Sequence, residues 1–333
     1  MYFDYEENVL DLHDVALLLN YERASTEPRF RHAKLREVAR NGADFKTIKA
    51  LTPEWTECPI PRTGYVFDKP RRRLSKNEGA EADLPSNILP TPIPANLQNL
   101  SPQDLELCYW QPRNHDGCFR TVALFQHFID LFPEFTRIRV RVVENKKPRM
   151  YSTLANDRLI VEMNLFQPIT MNLSCVLPDN QTYITGCDEV SLHAVLGFPP
   201  PGGDVDVILD LSSMQFGDVG RGFNGKGLFV LEPKSQYVSR LDKFAKGNDF
   251  SDAKESQRIR HTPGDDWLKE AAKRTKERWD KRSVEPWCGH CGAPACAEPL
   301  KRCAKCHRAH YCDAAHQLAA WPFHKHFCVE VKK

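Results

Sequence analysis

Paired cysteines and histidines crowd the last part of the chain, and they constrain its folding more than any other feature. Seven of the twelve cysteines and six of the twelve histidines of the 333-residue sequence lie between positions 288 and 328. Cys288 and Cys291 form one C-x2-C pair, and Cys303 and Cys306 form a second. Each such pair directs two thiolates toward one point, which is half of a tetrahedral zinc site.

Two further pairs supply the missing halves of these sites. Cys312 and His316 are four residues apart, as are His324 and Cys328, so each pair shares one face of a helix. The four pairs give enough ligands for two closed, four-coordinate sites without an open position for water. Closed sites have a structural role and not a catalytic one. The residues therefore predict two structural Zn2+ ions.

The segment resembles the MYND zinc finger in its spacing and in its flanking residues. The matching flanking residues are Tyr311, Gln317, Trp321 and Lys325. The resemblance implies interleaved pairs, with one zinc on Cys288, Cys291, Cys312 and His316 and the other on Cys303, Cys306, His324 and Cys328. The sixth position is usually cysteine in that family and is histidine here, which is also a normal zinc ligand. Five further candidates are expected to be exposed or packed instead: His290, Cys296, His307, His310 and His326.

Composition and charge narrow the class of protein. The net charge is +2, and residues 254–333 hold 17 lysines and arginines against 10 aspartates and glutamates. No interleaving of aromatic and basic residues accompanies this surplus, so direct nucleic-acid binding is not expected. The stretch MYFDYEENVL lacks the basic start and apolar core of a signal peptide, and no apolar run approaches the ~18 residues of a membrane span. Thiols in metal spacing favour a reducing compartment, so we expect an intracellular protein of the nucleus or cytoplasm.

Hydrophobic patterning divides the chain into five predicted segments. Apolar residues recur at helical spacing over Asp11–Tyr21 and Arg31–Leu51. A stretch rich in proline and charged residues follows and includes Pro90–Pro94. A further helix is predicted over Asp266–Arg282. The predicted segments are an N-terminal helical segment (1–51), a proline-rich extended connector (52–104), an α+β domain (105–245), a charged helical linker (246–286) and the zinc finger (287–328).

The central segment predicts a helix packed on an antiparallel sheet. An apolar helix begins at Asp116 or Gly117, and alternating residues predict strands near 137–143 and 158–163. Residues 191–198 and 205–212 flank the turn PPPGGD and predict a β-hairpin. The predicted fold class is therefore α+β, with this central domain and a small carboxyl-terminal two-zinc finger.

Cys118 lies at the start of the predicted buried helix, where the helix N-terminus favours a thiolate. If the hairpin strands pair symmetrically about their turn, His193 lies opposite Asp210, which would orient the imidazole. The order of these three residues, with the phrase DLSSMQFG at 210–217, resembles the papain-like and transglutaminase-like fold. That resemblance implies Cys118 as nucleophile, His193 as base and Asp210 as orienting group. The same residues also fit a core cysteine beside a hydrogen-bonded pair, and no oxyanion donor is evident, although Gln111 and Asn114 lie upstream.

Two functions from different classes follow. The first is a zinc-binding adaptor that recruits protein partners through its finger, and the family resemblance implies short proline-rich peptides as partners. The aromatic surface near Tyr311, Trp321 and Phe323 is the candidate contact. The alternative is a cysteine-dependent hydrolase or acyltransferase that uses Cys118, His193 and Asp210 and is targeted by the finger. The sequence does not indicate an oligomeric state.

Overall fold

The computed structural model describes residues 9–49, 52–71, 83–260, 265–296 and 298–330. Its helices are α1 (Leu12–Thr26), α2 (Pro53–Thr56), α3 (Pro102–Arg113), α4 (Gly117–Ile129), α5 (Phe223–Lys226), α6 (Lys234–Leu241), α7 (Asp265–Asp280) and α8 (Ala314–His324). Its strands are β1 (Val9–Asp11), β2 (Lys34–Ala39), β3 (Arg62–Asp68), β4 (Arg137–Glu144), β5 (Lys147–Leu154), β6 (Leu159–Pro168), β7 (Met171–Leu177), β8 (Gln181–Thr185), β9 (Val190–Phe198), β10 (Val207–Asp210), β11 (Val230–Pro233), β12 (Ala245–Asn248), β13 (Lys254–Ser256), β14 (Lys301–Arg302) and β15 (His310–Tyr311).

The largest sheet is antiparallel and has the strand order β11-β10-β9-β6-β12, with β13 also paired to β6. Helix α4 packs against β9 and is buried along most of its length, as its nearly continuous apolar sequence predicts. Phe125 and Phe128 of α4 are fully buried in the core that the helix shares with this sheet. The observed helix-plus-antiparallel-sheet arrangement confirms the predicted α+β class.

The predicted hairpin forms, but its register differs from the symmetric one by two residues. Strand β10 pairs with β9 so that Val207 lies opposite Phe198 and Leu209 opposite Leu196. Val205 remains outside the strand, which lengthens the loop at the end of the hairpin. A shift of two residues preserves the face on which each side chain lies, because side chains alternate with a period of two. His193 and Asp210 therefore stay on one face as diagonal neighbours and are not directly opposed.

The helix predicted over Arg31–Leu51 is wrong in its first half, because Lys34–Ala39 is strand β2. Buried positions within it alternate with more exposed ones, which is a period of two and not of three to four. The buried carboxylate of Glu37 accepts hydrogen bonds from the backbone N–H groups of Lys46 and Thr47, at 2.7 and 2.8 Å. These contacts hold the following segment in a non-helical loop. Residues 50 and 51 lie outside the described residues.

The predicted extended connector contains an internal strand. Strand β3 lies between β2 and β7 in a four-stranded sheet of order β2-β3-β7-β8, and Tyr65, Val66 and Phe67 are completely buried. The sequence analysis did not predict this strand, because its apolar run GYVFD is short and is surrounded by proline and charged residues. Because β1 also pairs with β4, strands from different predicted segments combine in one sheet. The segment boundaries themselves remain predictions.

Helix α7 forms close to its predicted bounds, and one side of it is buried: Leu268, Ala272, Thr275 and Trp279. The helix packs against α1 and α4. We call the described part of residues 9–286 the body. Arg278 of this helix donates both to Glu22 of α1 at 3.0 Å and to the carbonyl of Gly292 at 2.6 Å. The carboxyl-terminal segment therefore packs directly on the body. Among the described helices, none has the length and apolar character needed to cross a membrane.

Candidate metal centre

Two tight turns carry the C-x2-C pairs. Gly292 N–H donates to the carbonyl of Cys288 at 2.8 Å, and His307 N–H donates to the carbonyl of Cys303 at 3.0 Å. In each turn the residue four positions after the first cysteine has a positive φ, +75° at Gly292 and +53° at His307. Glycine adopts this conformation without strain, whereas a residue with a Cβ atom adopts it less readily. Both turns fold back so that their two thiols converge.

Helix α8 positions the other ligands. The carboxylate of Asp313 accepts a hydrogen bond from the backbone N–H of His316 at 2.8 Å, which caps the helix. Cys312 precedes this cap, His316 lies in the first turn, and His324 is the last residue of the helix. The short hairpin of β14 and β15 leads directly into Cys303 and Cys312. One helix and one hairpin therefore serve both clusters.

The ligand atoms form two separate groups, in each of which all four atoms lie within 4.8 Å of one another: Cys288, Cys291, Cys312 and His316, and Cys303, Cys306, His324 and Cys328. The interleaved pairing that the resemblance implies is the one the structure forms. All eight sequence-predicted ligands are brought together in this way.

The distances within each group fit a tetrahedral zinc ion. In the first, Cys288 Sγ lies 3.3 Å from His316 Nδ1, and Cys291 Sγ lies 3.8 Å from Cys312 Sγ. In the second, the sulfur–sulfur distance from Cys303 to Cys328 is 3.9 Å. Bonds of about 2.3 Å to sulfur and about 2.0 Å to nitrogen place tetrahedral ligand atoms roughly 3.5–3.8 Å apart. The two clusters therefore fit two structural zinc ions with four protein ligands each.

A third group of metal-ligand type overlaps the first cluster and consists of Glu106, His290 and His316. His290 Nε2 and Glu106 Oε1 already lie within hydrogen-bond distance at 2.8 Å, and His316 belongs to the cysteine cluster. We therefore assign Glu106 and His290 to a hydrogen bond and not to a metal. The other spare candidates lie outside both clusters: Cys296 and His307 are exposed, His310 is half-buried, and His326 packs on Phe223.

Aromatic and ionic contacts fasten the segment to the body. The rings of His13 in α1 and Phe323 in α8 stack with their centroids 4.2 Å apart. The carboxylate of Glu106 in α3 binds His290 and also Arg221, whose Nη1 lies 2.8 Å from Oε2. Burial alone would raise the pKa of Glu106, but these two partners hold it below its usual range. The first zinc cluster thus abuts a buried, charged contact of the body.

The three residues that the sequence predicts as a thiol site, Cys118, His193 and Asp210, also lie close together. Nε2 of His193 lies 2.9 Å from Oδ2 of Asp210, and both side chains are almost fully buried. Sγ of Cys118, in the first turn of α4, lies 3.8 Å from the carbonyl oxygen of Leu192, the neighbour of His193. Burial alone would lower the pKa of His193, but the charge of Asp210, its hydrogen bond and the contact with Cys118 raise it to about 10.

Three residues that the sequence did not single out complete this group. Tyr237 donates to Oδ2 of Asp210 at 3.0 Å, and Ser212 donates to Oδ1 through its N–H at 2.9 Å and its hydroxyl at 2.8 Å. Burial would raise the pKa of Asp210, but His193 and Ser212 keep it below its usual range. Gln215 Nε2 lies 3.4 Å from Nδ1 of His193. Ser212 and Gln215 belong to the phrase DLSSMQFG, which is the only sequence feature that could have indicated their role. No feature of the sequence indicated Tyr237.

The two upstream amides considered as oxyanion donors are used elsewhere. Gln111 Nε2 donates to the carbonyl of Gln215 at 3.2 Å, and its Oε1 accepts from the hydroxyl of Tyr65 at 2.6 Å. Asn114 Oδ1 accepts from the guanidinium of Arg23 at 2.7 Å. Both amides therefore stabilise the fold around the thiol group.

A comparison with known protein families agrees with the geometry. The family model of the MYND finger matches residues 288–328, which begin and end at the outermost ligands Cys288 and Cys328. No curated protein and no solved structure matches the chain significantly. MYND fingers bind zinc and typically mediate protein interactions. Residues 288–328 of this chain are therefore a MYND finger with two structural zinc sites.

Proposed function

We propose that the protein is a zinc-stabilised adaptor whose finger recruits peptide segments of other proteins. The observation that supports this proposal is the pair of closed clusters, because four protein ligands for each zinc leave no position for a substrate or a reactive water. Zinc then supplies folding energy for a segment with a small apolar core. The function of the module therefore depends on the surface that the two ions hold in shape.

The outer face of α8, defined by Leu318 and Trp321, is the recruiting surface we propose. These side chains are three residues apart on one side of the helix and are 72% and 38% exposed. The contact surface inferred from the sequence also included Tyr311 and Phe323. Tyr311 is 1% exposed, and Phe323 is stacked on His13, so both rings are already used in packing.

Proline-rich segments fit this surface. A polyproline helix keeps its shape without internal hydrogen bonds and docks on exposed aromatic side chains with little loss of conformational entropy. Trp321 offers an indole ring, and Leu318 extends the apolar contact by one helical turn. We therefore propose proline-rich peptides as the partner class of the finger.

A labelled oligoproline peptide tests this proposal on the zinc-loaded full chain. We expect Trp321→Ala to weaken binding at least about tenfold, since a buried aromatic anchor carries much of the affinity of an interface. Phe135→Ala is the matched control, because Phe135 is 77% exposed and lies in the body. Equal affinities for the wild type and the Trp321 variant would refute the recruiting role of α8.

A second candidate function is thiol chemistry in the body, and one observation favours it. Nε2 of His193 lies 2.9 Å from Oδ2 of Asp210, and the imidazole also contacts the side chain of Cys118. An imidazole held by a carboxylate and next to a thiol is the arrangement of an activated cysteine nucleophile. We propose a cysteine-dependent hydrolase or acyltransferase activity on this basis, with Cys118 as nucleophile, His193 as base and Asp210 as orienting group.

Alkylation by iodoacetamide at graded pH, followed by peptide mass spectrometry, tests the thiol proposal. We expect Cys118 to react below neutral pH and to lose this reactivity in His193→Gln. Cys187 and Cys296 are exposed thiols and provide the reference rate within the same chain. If Cys118 reacts no faster than these two, the enzyme proposal is wrong.

A further inference from the structure

A large cleft separates the finger from the sheet of β1, β4 and β5. Its volume is about 860 Å³, within the range of roughly 300–1,000 Å³ that ligand sites occupy. Arg139 and Met150 line the body side, and Arg308, Phe327 and Val329 line the opposite side. This finger–body cleft does not include Leu318 or Trp321, so it is separate from the outer face of α8.

The charge of the cleft is positive. Four arginines line it, Arg139, Arg141, Arg282 and Arg308, against two aspartates, Asp11 and Asp14. Both aspartates are paired with Arg141, at 2.7 and 3.6 Å. Within the described ranges of the chain, Arg139 and Arg308 form no ion pair. Two guanidinium groups therefore line opposite walls of the cleft without a directly bonded carboxylate, although the charge of Arg139 also helps to lower the pKa of Asp14.

Apolar side chains alternate with these charges. Met150 is 60% exposed and Val329 is 72% exposed, and both line the cleft, as does the half-buried ring of Trp287. Exposed large apolar side chains that are grouped with charged ones mark interaction surfaces. An occupant that satisfies the whole cleft must carry negative charge and apolar groups together.

We propose that the finger–body cleft binds an acidic peptide segment of a partner protein that also carries an aromatic or large aliphatic residue. Carboxylates of the segment pair with Arg139 and Arg308, and its apolar side chain covers Met150 and Trp287. Guanidinium groups bind carboxylates through parallel hydrogen bonds, which gives orientation as well as affinity. A nucleic-acid backbone fits less well, because its phosphates would leave the exposed apolar side chains of Met150 and Val329 without a partner. This inference rests on the proposed adaptor function and adds a second, differently charged contact to it.

Fluorescence anisotropy of a labelled EEFEEF peptide, with KKFKKF as the control peptide, tests the inference on the zinc-loaded full chain. We expect only the acidic peptide to bind, and Arg139→Glu or Arg308→Glu to weaken it at least about tenfold. Arg137→Glu and Arg302→Glu are matched controls on the same strand and in the same finger, since both residues are exposed and lie outside the cleft. Retained zinc content verifies that each variant is folded.

Each other outcome overturns the inference. Equal losses in the cleft and control variants would show general charge attraction, and an unbound peptide would show that the cleft takes no such segment. Residues 1–8, MYFDYEEN, are themselves acidic and aromatic and precede Val9 at the cleft. If the peptide binds only after their removal, the occupant is this chain and not a partner. The oligoproline assay with Trp321→Ala, run in parallel, separates failure of the cleft from failure of the adaptor proposal.

Discussion

Nε2 of His290 donates a hydrogen bond of 2.8 Å to Oε1 of Glu106. This contact joins the turn that carries Cys288 and Cys291 to helix α3 of the body. The second carboxylate oxygen of Glu106 binds Arg221 at 2.8 Å. His290 is 4% exposed and lies between the ligands Cys288 and Cys291. The finger is therefore part of the packed structure, and its zinc sites are linked to the stability of the body.

Glu106→Ala is expected to lower the free energy of unfolding by about 1–3 kcal/mol, because it leaves the buried His290 without its partner and removes one of the two carboxylates that pair with Arg221, the other being that of Asp218. Glu106→Gln keeps a hydrogen-bond acceptor and is expected to cost less. Urea denaturation of the zinc-loaded chain measures both changes. The control is Glu134→Ala, an exposed glutamate, for which a change within about 0.5 kcal/mol is expected. An effect of Glu106→Ala as small as that of the control would show that the contact does not join finger and body.

Zinc stoichiometry provides the second prediction. Native mass spectrometry is expected to find two zinc ions in the wild type and one in Cys303→Ala, because three remaining ligands no longer close the second cluster. Cys296→Ala is expected to retain both ions, since that exposed thiol lies in the finger but outside both clusters. Loss of an ion from Cys296→Ala, or fewer than two ions in the wild type, would contradict the ligand assignment.

The zinc ligands could be predicted from the sequence because their chemistry is local. C-x2-C spacing brings two ligands together within one turn, and four-residue spacing brings two together at one end of helix α8, although Cys312 and Cys328 lie just outside the helix that was expected to hold each pair. No knowledge of the tertiary fold is needed for either. The contact of Glu106 with His290 spans 184 residues, and nothing near either residue indicates the other. The covering of Phe323 by His13 was missed for the same reason. Long-range packing therefore decided which aromatic side chains of the finger remain available.

Strand β2 and the hairpin register show two further limits of sequence reasoning. Apolar residues such as Leu35 and Val38 fit helical spacing, but the strand is chosen by its pairing with β3 and by the burial of Glu37. In the hairpin, the turn length had to be guessed, and the true pairing begins two residues later at Val207. The contact between His193 and Asp210 survived this error, because an even shift keeps both side chains on one face.

Gly292 provides the third prediction, on the contact between finger and body. A Cβ atom at this position would lie 2.3 Å from the carbonyl oxygen of Leu17, and its φ is +75°. Gly202 has a φ of +71°, and a Cβ atom there would meet no other atom within 4 Å, so Gly202→Ala measures the backbone strain alone. Gly292→Ala is expected to lower the free energy of unfolding by about 1–3 kcal/mol more than this control. If urea denaturation shows the same loss of unfolding free energy for both variants, α1 and the turn that carries Cys288 and Cys291 do not approach closely.

The pair of His193 and Asp210 provides the last prediction, on the dependence of stability on pH. The pKa of His193 is raised from 6.5 to about 10 in the folded protein, so its contribution is complete below pH 6.5 and is lost as the pH rises through about 10. The pKa of Asp210 is lowered from 3.8, so its contribution is present above that pH and is lost as the pH falls through the lower folded value. Asp210→Asn removes the carboxylate that holds the proton on His193. The difference in unfolding free energy between the wild type and Asp210→Asn is therefore expected to be largest near pH 5–6 and to shrink between pH 6.5 and 10. A difference that stays constant over this range would show that the pair does not titrate as a linked acid and base.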